Sequence, residues 1–137
     1  MRLVATITSA GLAVLAGLHV AWGSGSAFPA SDREALADLV AGTEQVPGRS
    51  ECYAVGGLLA VASSLVVDAA PLPTPLRRAG VVVAATVLAV RGVAGVSGRT
   101  SMLVPWEPSA GFVARDRRFY GPLCLALAAG TASSRRA

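Results

Sequence analysis

The residues best suited to acid/base chemistry are few, and one of them lies near the end of a long apolar run. His19, the single histidine of the chain, precedes Trp22 by three positions in the stretch GLHVAWGSGSAFP. Residues three apart share one face of a helix. A histidine placed there could carry a proton or bind a cofactor. The structural alternative is that Trp22 anchors the membrane interface while His19 forms a hydrogen bond with a neighbouring helix.

A second candidate pair lies in the stretch RDRRFYGP. Asp116 and Tyr120 are four positions apart, so an α-helix would place them on one face, where they could transfer protons. Alternatively, the two side chains form a hydrogen bond that fixes the start of a helix. The adjacent Arg117 is, together with Arg91 and Trp22, a candidate ligand-binding residue.

Arg91 lies inside an apolar run, where an arginine is costly and usually faces a helix-bundle interior, a carboxylate or water. One interpretation is that it binds an anionic group, such as a lipid head or a carboxylate. The alternative is that it snorkels to the interface or pairs structurally with Asp116 or Glu51. The positions of the helices decide between these interpretations.

Four apolar segments must position these residues. Hydrophobic residues form 53 % of the 137 residues and charged residues only 15 %, against about a quarter in soluble domains. We predict an all-α fold in which residues 1–137 form one integral membrane domain, a four-helix transmembrane bundle with helices at about 3–22, 52–70, 79–97 and 117–134. The first run, of about 20 residues, covers a ~30 Å hydrocarbon core, and its length favours a retained span over a cleaved signal peptide.

The first connection is predicted to carry a short interfacial helix. Ser31 and Glu34 form a capping-box pattern, and Gly42 suits a helix end. These signals predict a helix over Asp32–Ala41 that rests on the bundle or the membrane surface.

The later connections carry weaker signals. The stretch PLPTPLRR predicts a tight turn between the second and third spans. Ser109 is predicted to cap a helical stretch leading into the fourth span, where Gly121 and Pro122 bend or restart the chain. Gly92 and Gly95 predict a close approach of the third span to another helix.

Polar residues are predicted to gather on one membrane face. In an even-numbered bundle, the end of the first span, the start of the second, the end of the third and the start of the fourth lie on the same side. The density of arginines in the short second turn favours a cytoplasmic N-terminus. We therefore expect a polar pocket on one face, with Arg91 about 12 Å deeper, formed by His19, Trp22, Arg49, Glu51, Arg99, Asp116, Arg117 and Tyr120.

Composition argues against two classes of function. The net charge is +4, but the arginines are scattered in ones and twos with few aromatics, so we expect no nucleic-acid binding. Cys52 and Cys124 have no zinc-ligand spacing, so we expect no metal and no other cofactor. The cysteines are expected to be packing residues, with a disulfide as the alternative if their membrane face is oxidising.

Two stretches, HVAWGSGSAFP and FVARDRRFYGPLCLALAAG, resemble the signatures of a bacterial membrane family, domain of unknown function 3995. The chain departs from the family pattern at Gly121, where a serine is expected, and at Phe28, near an expected tryptophan. The resemblance implies an integral membrane protein of unassigned function and names no substrate. The positions that match are His19, Trp22, Gly23, Gly25, Asp116, Phe119, Tyr120, Pro122, Leu123, Cys124 and Leu125.

We interpret the chain as a multi-pass protein of the cell inner membrane with a non-enzymatic binding or accessory role. Its expected partners are membrane lipid and a small anionic or lipid-like ligand, and it could form a homo-oligomer. The first alternative is a membrane-embedded enzyme acting on a lipid or quinone-like substrate, with His19, Asp116 and Tyr120 as acid/base groups and Arg91 holding an anion. The second is a small dual-topology transporter, a class that usually needs a carboxylate in its first helix.

Overall fold

A computed structural model describes residues 2–134, which form helices joined by turns and loops and contain no strand. The all-α prediction is confirmed for this part of the chain. A 3₁₀ turn lies at Thr100–Met102 and a π-helical segment at Asp116–Tyr120. The α-helices are α1 (Arg2–Gly23), α2 (Arg33–Ala41), α3 (Arg49–Val66), α4 (Thr74–Val96), α5 (Ala110–Arg115) and α6 (Gly121–Ser133).

Four of the helices, α1, α3, α4 and α6, pack around one core. The main contacts join α1 to α3 and α4 to α6, while α1 also meets α6 and α3 also meets α4. Each of the four therefore touches two neighbours. Their shared core is a buried cluster of Leu12, Ala62, Val66 and Leu127.

Two helices, α1 and α4, are long and apolar enough to cross a membrane, judged by length and composition. Only 17 % of the most apolar part of α1 and 22 % of that of α4 are buried, whereas the core helix of a soluble protein is mostly buried. The other two fall short of the same criterion. Arg49 and Glu51 lower the apolarity of α3, and α6 has only 13 residues.

The connection between α3 and α4 differs from the predicted turn. α3 ends at Val66 and α4 begins at Thr74, so α3 ends earlier and α4 begins earlier than the predicted spans 52–70 and 79–97. Asp68 has a left-handed φ of 58°, which an α-helix cannot continue through. Pro75 lies in the first turn of α4, where its missing N–H leaves no hydrogen bond unmade.

The longer α4 brings Arg77 against the end of α3. The Arg77 side chain is almost wholly buried, and its Nη1 donates to the Leu65 carbonyl at 3.0 Å. Its Nε lies 3.1 Å from a carboxylate oxygen of Asp68. The last carbonyls of a helix lack partners within the helix and attract positive charge. Arg77 therefore caps α3 from the following helix.

The short helix in the first connection is confirmed, with a different cap. α2 covers Arg33–Ala41 and ends at Gly42, whose φ of 67° is left-handed. Its N-cap is Asp32 and not the predicted Ser31. The Asp32 carboxylate accepts a hydrogen bond from the Ala35 N–H at 2.8 Å, and the Ser31 hydroxyl donates to that carboxylate. These two hydrogen bonds, the backbone one first, lower the pKa of Asp32.

The predicted close approach at Gly92 and Gly95 is confirmed, and the partner is α6. A Cβ atom on Gly92 would lie 2.7 Å from the Leu125 side chain, and one on Gly95 would lie 2.9 Å from the Cα of Gly121. Small residues at such points let two helix backbones approach closely.

Reciprocal serine hydrogen bonds join α1 to α3. The Ser9 hydroxyl donates to the Ser63 carbonyl at 3.1 Å, and the Ser63 hydroxyl donates to the Ser9 carbonyl at 2.9 Å. Gly56 of α3 lies against α1, and a Cβ added to it would be 3.2 Å from the Ala16 carbonyl oxygen. Interhelical hydroxyl bonds beside small residues are a packing mode of membrane helices.

Candidate functional site

Arg91 pairs with the carboxylate of Asp116. Its Nη2 lies 2.9 Å from Oδ1, and its Nη1 donates a hydrogen bond to Oδ2 at 3.1 Å. The contact to Oδ1 is an ion contact without hydrogen-bond geometry. The Thr100 hydroxyl donates to Oδ2 from the 3₁₀ turn. Asp116 is fully buried and the Arg91 side chain is 30 % exposed. Of the interpretations weighed for Arg91, the structure shows the internal ion pair.

A π-helical segment begins at Asp116 and leads into α6. The Gly121 N–H donates to the Asp116 carbonyl, five residues back, as in a π-helix. Asp116 is buried beside α4, whereas Phe119 is 59 % exposed and Tyr120 is bonded to α2. Asp116 and Tyr120 therefore have separate partners, and within residues 2–134 they form no hydrogen bond with each other.

A layer of short segments lies across the end of the bundle where these residues meet. This polar cap consists of α2 with Gly42 and of residues 99–115. The Tyr120 hydroxyl donates to the Leu39 carbonyl at 2.8 Å, and Trp106 Nε1 donates to the Ala41 carbonyl at 2.9 Å. Both bonds fasten α2 to segments far along the chain.

An ion pair completes the polar cap. Arg115 Nη2 lies 3.1 Å from an Asp38 carboxylate oxygen and also donates to the Asp38 carbonyl at 2.8 Å. The Ser109 hydroxyl donates to the other carboxylate oxygen at 2.6 Å, and its oxygen accepts from the Phe112 N–H, which caps α5 as predicted. The hydrogen bond from Ser109, and next the one from Arg115, lower the pKa of Asp38.

We expect Ser109→Ala to raise the pKa of Asp38 toward its ordinary value, because it removes the larger of these two interactions. A depressed folded-state pKa contributes stability above the unfolded-state pKa, and this contribution is lost as the pH falls through the folded-state pKa. NMR titration of the Asp38 carboxyl carbon measures the change. Arg115→Gln, which removes the other hydrogen-bond donor and its positive charge, should also raise this pKa. An unchanged Asp38 pKa in Ser109→Ala would contradict the assignment.

His19 lies at the same end of the bundle, on the α1–α3 side. Its Nδ1 is 2.8 Å from the Leu15 carbonyl oxygen, one turn back in α1, and its ring centroid is 4.9 Å from that of Trp22. Among residues 2–134, no hydrogen bond or ion pair joins His19 to Arg91 or Asp116. The structure thus brings Arg91 and Asp116 together and leaves His19 in a separate contact.

Trp22 is a buried core residue beneath α2. It packs with Leu36 and Cys52, and its Nε1 donates to the Phe28 carbonyl at 2.7 Å. Arg33 Nη1 donates to the Trp22 carbonyl at 2.8 Å, which closes the end of α1. The tryptophan therefore holds the first connection to the bundle and is not an exposed interfacial anchor.

Two arginines beside the ion pair lack a carboxylate partner. Arg99 and Arg117 are exposed, and none of the ion pairs within residues 2–134 includes either of them. The Arg117 side chain lies next to Gly98, where an added Cβ would be 3.3 Å from its Cδ. Arg117, a predicted ligand-binding residue, therefore flanks the turn that carries Arg99.

Three open cavities bear on ligand binding. One of about 360 Å³ opens in the polar cap, one of about 420 Å³ lies between α4 and α6, and one of about 430 Å³ follows the end of α4. None of these three is lined by His19, Asp116 or Tyr120. The carboxylates that line the first are Glu34, Asp38, Glu44 and Glu107.

Both cysteines are free thiols, Cys52 buried under α2 and Cys124 half-buried in α6. Cys52 is close enough to the Pro47 carbonyl, at 3.5 Å, for a weak thiol hydrogen bond. In the described part of the chain, no three His, Cys, Asp or Glu side chains are grouped to hold a metal ion.

Comparison with known proteins places these features in a family. Searches of curated proteins and of solved structures each find no match. A family model described as "Protein of unknown function (DUF3995)" matches residues 12–131, a range that includes His19 and the Arg91–Asp116 pair. The range runs from the middle of α1 nearly to the end of α6 and so covers most of the chain. The chain belongs to the DUF3995 family.

Proposed function

We propose that the protein is a multi-pass protein of the cell inner membrane in which α1, α3, α4 and α6 are four transmembrane helices. α1 has 22 residues and α4 has 23, which gives about 33–35 Å, enough for a ~30 Å hydrocarbon core. Large apolar side chains are exposed on all four helices, where lipid would cover them. Examples are Leu3, Ile7 and Val14 on α1, Leu58 and Val61 on α3, Val83 and Val87 on α4, and Leu123 on α6.

The two other helices reach a similar length with their flanks. α3 has 18 residues, or about 27 Å. α6 continues without a break from the π-helical segment, so Asp116–Ser133 forms one rod of similar length. A thinner local bilayer or snorkelling flanks accommodate a short span.

The placement of charge supports this arrangement. Arg91, the charged side chain deepest in α4, is paired with Asp116, as expected for an arginine at membrane depth. At the opposite end, Asp68 and Arg77 form an ion pair next to the exposed Arg78. Charges thus lie at the two ends or are neutralised between helices.

We further propose a non-enzymatic binding or accessory role. The observation that carries this proposal is the complete burial of Asp116 by Arg91 and Thr100. His19 and Tyr120 are likewise engaged with backbone carbonyls. Groups that catalyse proton transfer must reach the reacting atoms. Asp116 and Tyr120 are instead engaged in tertiary contacts with α4 and α2, and His19 bonds a carbonyl of its own helix.

One observation favours the alternative of a membrane-embedded enzyme. π-Helical turns occur frequently at functional sites, and the π-helical segment here begins at Asp116. In this alternative, opening of the polar cap would release Asp116 and Tyr120 for acid/base work on a lipid or quinone-like substrate.

Membrane topology is tested with cell fractionation and reporter fusions. We expect the full chain in the carbonate-resistant membrane fraction. A reporter inserted at Thr43, just after α2, and one fused after Ala137 should report opposite sides of the membrane. A soluble protein would overturn the proposal, and signals from both sides at each position would favour a dual-topology transporter.

The enzyme alternative is tested by the lipid and quinone composition of cells that lack the protein. We expect wild type and Tyr120→Phe, expressed at equal membrane levels, to give the same composition. Tyr120→Phe keeps the ring against Phe112, 5.9 Å away, and removes only the hydroxyl. An accumulated species that wild type clears and Tyr120→Phe does not would establish the enzyme.

A further inference from the structure

An apolar groove of about 430 Å³ follows the last turns of α4 into the 3₁₀ turn. Alanine and valine side chains of α4 form one wall, and the turn supplies the other. Arg99 is the charged residue of the lining and lies past the C-terminal end of α4. The lining residues are Ala89, Val90, Val93, Ala94, Ser97, Arg99, Met102 and Leu103.

The turn exposes apolar side chains outside the proposed spans. Met102 is 76 % exposed and Leu103 is 46 % exposed, although both follow the end of α4. Exposed large apolar residues beside basic residues are typical of segments that lie in the interfacial region of a membrane. The groove therefore continues from the depth of the acyl chains to the depth of the head groups.

Two exposed cations lie near the head-group end: Arg99 lines the groove, and Arg117, outside the lining, packs against Gly98, the residue before Arg99. Arg99 and Arg117 are exposed and have no carboxylate partner among residues 2–134. The carboxylate nearest to Arg117 in the chain, Asp116, is already engaged by Arg91 and Thr100. The positive charge at this end of the groove is thus available to an external anion.

We propose that this groove binds an anionic phospholipid, with one acyl chain along α4 and the head-group phosphate between Arg99 and Arg117. The inference rests on the proposed membrane location, because the bilayer supplies the lipid. Apolar walls recognise the chain, and the paired arginines favour a lipid with net negative charge over a zwitterionic one.

Native mass spectrometry of the full-length protein in detergent tests the site. Phosphatidylglycerol and phosphatidylcholine with identical acyl chains are titrated separately. Each arginine near a charged lipid contributes about fivefold to affinity, so Arg99→Gln with Arg117→Gln should weaken phosphatidylglycerol binding about 25-fold. Arg49→Gln removes an exposed arginine at the same end and outside the groove, and it should leave binding unchanged.

The groove is tested separately by filling it. Val93 lines the groove and is 56 % exposed, so Val93→Phe fills the space without disturbing the core. It should weaken phosphatidylglycerol binding, whereas Val87→Phe, on α4 outside the groove, should not.

Three results would overturn the lipid site. The first is equal affinity for the two lipids, and the second is a loss of affinity in Arg49→Gln equal to that in the double variant. The third is displacement of phosphatidylglycerol by millimolar inorganic phosphate, which would indicate an anion site without an acyl-chain contribution. A protein that fractionates with membranes and gives any of these results retains the proposed location and loses only this site. A protein that is not membrane-bound fails the earlier test first.

Discussion

Asp116→Ala is expected to destabilise the protein by about 3–5 kcal/mol, the penalty for leaving one partner of a buried ion pair uncompensated. The carboxylate is fully buried and engages Arg91 at 2.9 and 3.1 Å as well as the Thr100 hydroxyl. Its removal leaves a guanidinium between α4 and α6 with no counter-charge from the segment that follows α5. Thermal unfolding in detergent and membrane abundance both measure the loss.

The control for this prediction is an ion pair in which both partners are partly exposed. The side chains of Asp38 and Arg115 are 54 % and 31 % exposed, so Asp38→Asn should cost no more than about 1 kcal/mol. An equal loss in Asp38→Asn would contradict the larger effect expected for Asp116.

A second, double variant tests whether the loss in Asp116→Ala comes from the ion pair. Replacing a buried ion pair by apolar residues of similar size is often neutral. Asp116→Leu combined with Arg91→Met should therefore recover most of the stability lost in Asp116→Ala. Failure of this double variant to recover would mean that the backbone of the π-helical segment, and not the charge, depends on Asp116.

Gly121→Ser is expected to destabilise the protein by about 1–3 kcal/mol, the usual range for overpacking a close contact. A Cβ at this position would lie 2.7 Å from the Val96 backbone nitrogen and 3.0 Å from the Gly95 carbonyl carbon. Backbone atoms cannot rotate away as a side chain can, so α4 and α6 must separate. The serine that the family resemblance leads us to expect at this position has no room in this chain.

Gly57→Ala is the matched control, since Gly57 also lies in a helix and an added Cβ would meet no atom within 4 Å. Alanine is favoured over glycine in helices by about 0.5–1 kcal/mol, so this variant should be slightly more stable. Comparing the unfolding midpoints of the two variants separates the effect of helix propensity from the effect of the steric clash between α4 and α6. A stable Gly121→Ser protein would show that the two helices can move apart freely.

The features that could be predicted from the sequence are those with local causes. α2 follows from the N-cap region before it and from Gly42, which ends it. The close approach of α4 to another helix follows from the spacing of Gly92 and Gly95, although the partner, α6, is known only from the structure. The pairing of Arg91 with Asp116 was one of the alternatives, because an arginine at that depth needs a partner.

The features that escaped prediction depend on tertiary context. The π-helical turn at Asp116–Tyr120 has no sequence signature, and the separate partners of Asp116 and Tyr120 depend on which helices pack around them. A tryptophan at the end of an apolar run, as Trp22 is, is typical of an interfacial anchor, but α2 packs over Trp22 and buries it. The prolines before Arg77 predict a turn, but Pro75 lies in the first turn of α4, a position that proline also favours, so Arg77 is helical.

The way α2 meets the later half of the chain has a consequence for assembly. Most helix contacts lie within two successive hairpins, α1 with α3 and α4 with α6. The segment between the helices of the first hairpin is bonded to the second through Asp38, Leu39 and Ala41. In the proposed membrane arrangement, each hairpin would enter the bilayer as a unit. The hydrogen bonds between the extramembrane segments would then form only once both hairpins are in place, so the contacts of α2 would mark the completed assembly.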